Sequence, residues 1–119
     1  MRRVTLALAI ALPMLVAATP GCKLTSRNRA QAISRMNEGI RHESKNNTSQ
    51  AEKSLKEAIE FDPTYDKAHF MLGQIFRKQG KLVDAQKAFQ DAIANMGANP
   101  KPDYQYQLGR VIIAQAEAP

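Results

Sequence analysis

Residues 69–92 read HFMLGQIFRKQGKLVDAQKAFQDA, and this stretch decides the fold. Ala85, Phe89 and Ala92 stand at i, i+4 and i+7, one stripe along a helix. Small alanines on that stripe let a second helix come close, and the ring between them fills the gap that remains. Leu72-Gly73 predicts another close approach, at the point where the preceding helix crosses it. Gly80 divides the two segments and suits the left-handed residue that closes a helix. The stretch therefore reads as two helices folded back on each other.

Working outward, the pattern recurs. Gly39 and Gly73 are 34 residues apart, and so are Ala51 and Ala85, Leu55 and Phe89, and Ala58 and Ala92. Coincident pairs at one offset mark a structural repeat. Leu108-Gly109 repeats Leu72-Gly73 at an offset of 36, because the turn over 97–102 is slightly longer. Asp62-Pro63 ends the first pair, since proline cannot continue a helix and restrains the residue before it. Helices are expected at about 29–46, 49–61, 64–79, 82–96 and 103–116. Asn28-x-x-Gln31 and Ser49-x-x-Glu52 have the spacing of capping boxes. The composition, rich in Ala, Gln, Lys and Glu and without Trp, agrees with an all-α chain.

The order His69, Leu72-Gly73, Phe76, Gly80, Ala85, Phe89, Ala92 resembles the tetratricopeptide repeat, a helix–turn–helix of 34 residues. The resemblance implies a short solenoid of antiparallel helix pairs with about two and a half repeats, at 32–65, 66–97 and a partial copy at 102–119. The first copy matches through Gly39, Ala51, Leu55, Ala58 and Pro63. Its first helix is degenerate, with Arg35, Glu38 and His42 in places where large apolar residues are usual. The third copy has one helix, carrying Leu108, Gly109 and Ile112.

The chain has 119 residues and a formal charge of +6, room for one domain of 29–119 after a leader. Arg2 and Arg3 precede an uncharged run from Val4 to Ala18, which Pro13 interrupts. At about 15 residues the run is shorter than the roughly 20 a spanning helix needs, and it reads as a signal peptide over 1–21. Thr19-Pro20-Gly21-Cys22 resembles the lipobox of bacterial lipoproteins, although Thr19 and Pro20 depart from its usual pattern. The resemblance implies lipidation of Cys22, a tether over 22–28, and an anchor at the outer membrane with the domain facing the periplasm. The alternative is a soluble periplasmic or secreted protein. Cys22 is the sole cysteine, so an intrachain disulfide and a cysteine metal cluster are both excluded.

Without Arg2 and Arg3, 15 basic residues face 11 acidic ones, interspersed along the helices. No basic stripe marks a nucleic-acid surface. The two histidines are far apart, and neither a phosphate loop nor a His-Glu metal motif occurs, so neither an enzyme nor a cofactor is expected. His69, in a slot that normally holds a core aromatic, is expected to be packed. In tetratricopeptide arrays the first helices line a concave surface that holds peptides. Carried onto this chain, that surface has Lys67, Phe70, Gln74, Arg77 and Lys78 on the central helix. Tyr106 and Arg110 belong to the last helix, Met36 and Ile40 to the first. Phe70 and Tyr106 would form an aromatic floor with a basic rim, suited to an apolar and acidic peptide. Phe70 and Gln74 occupy two positions of the family's carboxylate clamp, so binding of chaperone tails is not expected. The partner is expected to be a protein or peptide, with membrane contact through the lipid and no nucleic acid. The function implied is an adaptor or assembly factor of the cell envelope, or alternatively a structural subunit of an outer-membrane complex. The last helix has no second helix after it, and Val111, Ile112 and Ile113 raise self-association through 103–119.

Overall fold

The computed structural model describes residues 21–119, with side chains from Arg27 onward. The leader at 1–20 and the side chain of Cys22 lie outside the described residues. Five helices follow one another: α1 (Gly21–Ser44), α2 (Thr48–Phe61), α3 (Asp66–Lys78), α4 (Leu82–Asn95) and α5 (Pro102–Glu117). Helix α1 packs on α2 and α3 on α4 as antiparallel pairs, α2 joins the pairs through α3, and α5 lies on α4. The architecture is an all-α array of helix pairs, as the repeat predicts.

The expected helices are present, with shifted ends. α1 begins at Gly21, not near residue 29, because no proline interrupts the backbone between Gly21 and Ser44. Asn28 therefore lies inside the helix and does not begin it, and the backbone over 22–28, the expected tether, is helical. α2 starts at Thr48 with Asn47 before it, and no side chain caps it. Glu52, assigned to a capping box, instead binds Lys56 at 2.6 Å, Gln79 at 3.0 Å and Lys81 at 3.3 Å. Pro102 opens α5, where its missing N–H costs nothing.

Helix ends follow the repeat. Gly80 has φ +75°, and the Lys81 N–H bonds back to the Phe76 carbonyl at 2.9 Å, closing α3. One period earlier Asn46 has φ +60°, with the Asn47 N–H on the His42 carbonyl at 2.9 Å. Asparagine tolerates that conformation because its short polar side chain bonds locally. At the other turn, Asp62 accepts the Thr64 N–H at 3.0 Å and its hydroxyl at 2.7 Å. Burial pushes the Asp62 carboxyl up, but the bonds from Thr64 and the charge of Arg29 outweigh it and hold the group below its ordinary value.

The core is a row of small and large residues alternating across the crossings. Ala51, Leu55, Ala58, Ala85, Phe89 and Ala92 are all buried. A Cβ on Gly73 would stand 2.7 Å from the Phe89 ring, and one on Gly39 would stand 2.9 Å from Leu55 Cγ. The two glycines are what allow the large residue of the second helix to reach the backbone of the first. In the degenerate first pair, Arg35 contacts Glu38 at 2.9 Å and Glu57 at 3.4 Å, so an ionic tie between α1 and α2 replaces an aromatic contact.

Candidate peptide groove

Helices α1 and α3 and the start of α5 enclose an open groove of about 540 Å³. Met36, Ile40, Lys67, Phe70, Met71, Lys101 and Tyr104 are among the residues that line it. Each first helix contributes the side chains that its partner helix does not cover. Met36 is buried, Phe70 and Met71 are half-buried, and Ile40 remains 37% exposed. A flexible thioether and a ring at the bottom of an open trough form an adaptable apolar floor.

Phe70 is held from two sides. Its ring stacks on Tyr104 with centroids 4.4 Å apart, and it meets Phe89 at 5.6 Å with the planes tilted by 53°. The Tyr104 hydroxyl donates to Asp66 at 2.8 Å, and Lys101 pairs with the same carboxylate. Burial pushes the Tyr104 phenol up to about 12, aided by its bond to Asp66. Asp66 is also raised by burial, but the bonds from Lys101 and Tyr104 prevail and lower it. The bond to Asp66 raises Lys101. This triad fixes the N-terminal turn of α5 against α3, and so fixes the edge of the groove.

The structure therefore corrects one assignment. Tyr104, not Tyr106, is the partner of Phe70. Two residues on, a helix has turned by about 200°, and Tyr106 is 61% exposed with the Arg110 guanidinium 5.8 Å from its ring centroid. The period could have found this, because Tyr104 falls 36 residues after Ala68, which is fully buried. Among the other assigned residues, Lys67 lines the groove and Gln74 and Arg77 are half-buried on α3. The Arg77 Nε is buried with no hydrogen-bond partner among the described residues. Lys78 does not add to a free basic rim, because it pairs with Glu43 of α1. His69 is packed, 8% exposed, and its Nε2–H donates to the Pro63 carbonyl at 2.7 Å. Among the described residues no group of His, Cys, Asp and Glu is placed to hold a metal ion. No helix among them is long and apolar enough to cross a membrane.

Comparison with known proteins agrees with the repeat pattern. Residues 54–87 match the family model of the tetratricopeptide repeat. Among solved structures the chain is similar to YrrB, described as a TPR protein with an unusual peptide-binding site. The TM-score is 0.67 at 22% identity, over 81% of this chain and 48% of that one. This chain thus spans about half the length of YrrB, and the likeness is one of fold. None of the curated proteins matches it.

Proposed function

We propose that this tetratricopeptide-repeat protein is a non-catalytic adaptor that holds a peptide segment of another protein against α1, α3 and α5. The observation that carries the reading is the open groove whose floor is Met36, Phe70, Met71 and Tyr104, with Ile40 exposed beside it. Apolar side chains set in a trough and bordered by charge offer anchors for one or two large residues of a ligand. Lys67 on the border favours acidic residues next to those anchors. Such repeats generally act as binding modules, which agrees with the description of YrrB as peptide-binding.

The leader reading places this adaptor at the bacterial envelope, tied by a lipid on Cys22 to the periplasmic side of the outer membrane. A single acyl chain binds only marginally, whereas two or more anchor stably, each buried methylene contributing about 0.8 kcal/mol. Mass spectrometry of the mature N-terminus tests that step. A chain that begins elsewhere, or that carries an unmodified Cys22, removes the anchor and leaves the groove untouched.

The groove is tested by a photo-crosslinking residue placed at Ile40 or at Lys67, with Val83, 74% exposed on α4, as the control site. Adducts to the same envelope protein from the first two sites and not from the third are expected, and those from Ile40 should be weakened by Lys67→Glu. Equal adducts from all three sites would sink the reading.

A further inference from the structure

The three Leu-Gly and glycine crossings of this chain differ in what stands over them. Leu55 covers Gly39 and Phe89 covers Gly73, while a Cβ on Gly109 would meet no atom within 4 Å. The residues of α5 that correspond to buried His69, Leu72 and Phe76 are Gln105, Leu108 and Ile112. Gln105 is exposed, Leu108 half-buried and Ile112 47% exposed. Among the described residues nothing covers this face of α5.

What covers the other two crossings has one signature: small, three residues, large, two residues, small. Ala51, Leu55 and Ala58 carry it on α2, and Ala85, Phe89 and Ala92 carry it on α4. Helix α5 carries it as well, in Gly109, Ile113 and Ala116, with Ile113 59% exposed. One helix therefore holds both the open crossing and the pattern that closes it.

We propose that the occupant is α5 of a second copy of this chain, packed antiparallel about a two-fold axis near residue 111. Ile113 of each copy lies over Gly109 of the other, and Tyr106 lies against Ala116. The contact extends a crossing that the chain already makes twice internally. The stripe Tyr106, Gly109, Ile113 and Ala116 carries no charge of its own, and Arg110, beside the Tyr106 ring, stays exposed at its border. Glu117 of each copy meets the electropositive first turn of the other α5. A two-fold contact of this kind is self-complementary and closes at two copies.

The test uses the full chain in mild detergent, by size exclusion with light scattering and by circular dichroism. The wild type is expected at twice the chain mass. Gly109→Leu fills the crossing from a Cβ position that meets no atom within 4 Å inside one copy, and Ile113→Glu puts a charge on the stripe. Each should weaken pairing by at least about tenfold, an effect of roughly one decade in Kd, with the helical signal unchanged. A wild type of single-chain mass at about 100 µM, or a dimer that keeps its affinity in both variants, overturns the proposal. Crosslinking from Ile40 that persists in the monomeric variants shows that the groove stands independently of pairing.

Discussion

The crossing at Gly73 and the crossing at Gly109 start from the same dipeptide, Leu-Gly, 36 residues apart, and end in opposite surroundings. At the first, the Phe89 ring lies where a Cβ would be, and both residues are buried. At the second, the same glycine faces open space. The motif records a capacity to be approached, and only a supplied neighbour turns that capacity into packing. A glycine within a helix costs conformational entropy in either place. At Gly73 the close approach of Phe89 offsets that cost, and at Gly109 nothing in the single copy does.

The largest effect expected from breaking this contrast is at its filled end. Phe89→Ala removes a fully buried ring and leaves a void between Gly73 and Phe70, costing about 3–5 kcal/mol. Urea unfolding followed by circular dichroism measures it, and a loss under about 1 kcal/mol would show that the crossing collapses onto the gap. Gly73→Ala should cost less, about 1–3 kcal/mol, by overpacking against that ring. Its helix-propensity gain of about 1 kcal/mol acts in the opposite direction. A stabilised Gly73→Ala variant would mean that α3 and α4 separate easily.

The same contrast explains what the sequence made legible. The middle of the chain could be read because each crossing glycine there answers to a large residue 16 positions later, and both recur after 34. Every expected helix is present for that reason. The start of α1 was not legible, because capping patterns such as Asn28-x-x-Gln31 also occur inside helices, where the backbone N–H groups are already bonded. Ser49-x-x-Glu52 misled in another way. Glu52 gains more from three donors on α2 and the α3–α4 turn than from one backbone N–H. At the site, the α3 side of the groove was legible from helical phase, as Lys67 and Phe70 show. The α5 side was misread, because Phe70 carried forward by 36 lands on Tyr106, whereas the ring that meets Phe70 is Tyr104, the equivalent of buried Ala68. Asn46 was visible only through the period, standing 34 before Gly80 in the same left-handed role.

A smaller effect concerns the seam between the pairs, where the contact is ionic. The Lys56 ammonium, opposed in part by burial and helped by Gln79 and Lys81, holds the Glu52 carboxyl down to about 2. A carboxyl lowered by folding stabilises fully above its unfolded value, 4.5, and that contribution is lost as pH falls towards 2. Lys56 and Lys81 are about half exposed, so solvent screens the pair and the contribution is modest. The urea midpoint should therefore decline over that window, and Glu52→Gln should flatten part of the decline. A profile identical in the two proteins would remove Glu52 as the origin and leave Asp62 and Asp66, which are lowered as well.

The smallest effect is also the one that separates the two crossings most sharply. Gly109→Ala places a methyl group where no atom lies within 4 Å, so packing within one copy is unaffected. Alanine is better than glycine inside a helix by about 0.8–1 kcal/mol, because it has less backbone freedom to lose. The substitution should therefore raise stability by about that amount at high dilution, where pairing is absent, while the same change at Gly73 lowers it. Thermal melts of the two variants, recorded at low micromolar concentration, check the opposite signs. If Gly109→Ala destabilises the dilute protein, then a side chain or backbone segment already lies over α5 in the single copy. The equivalence between the three crossings would then extend to the last one without a second copy.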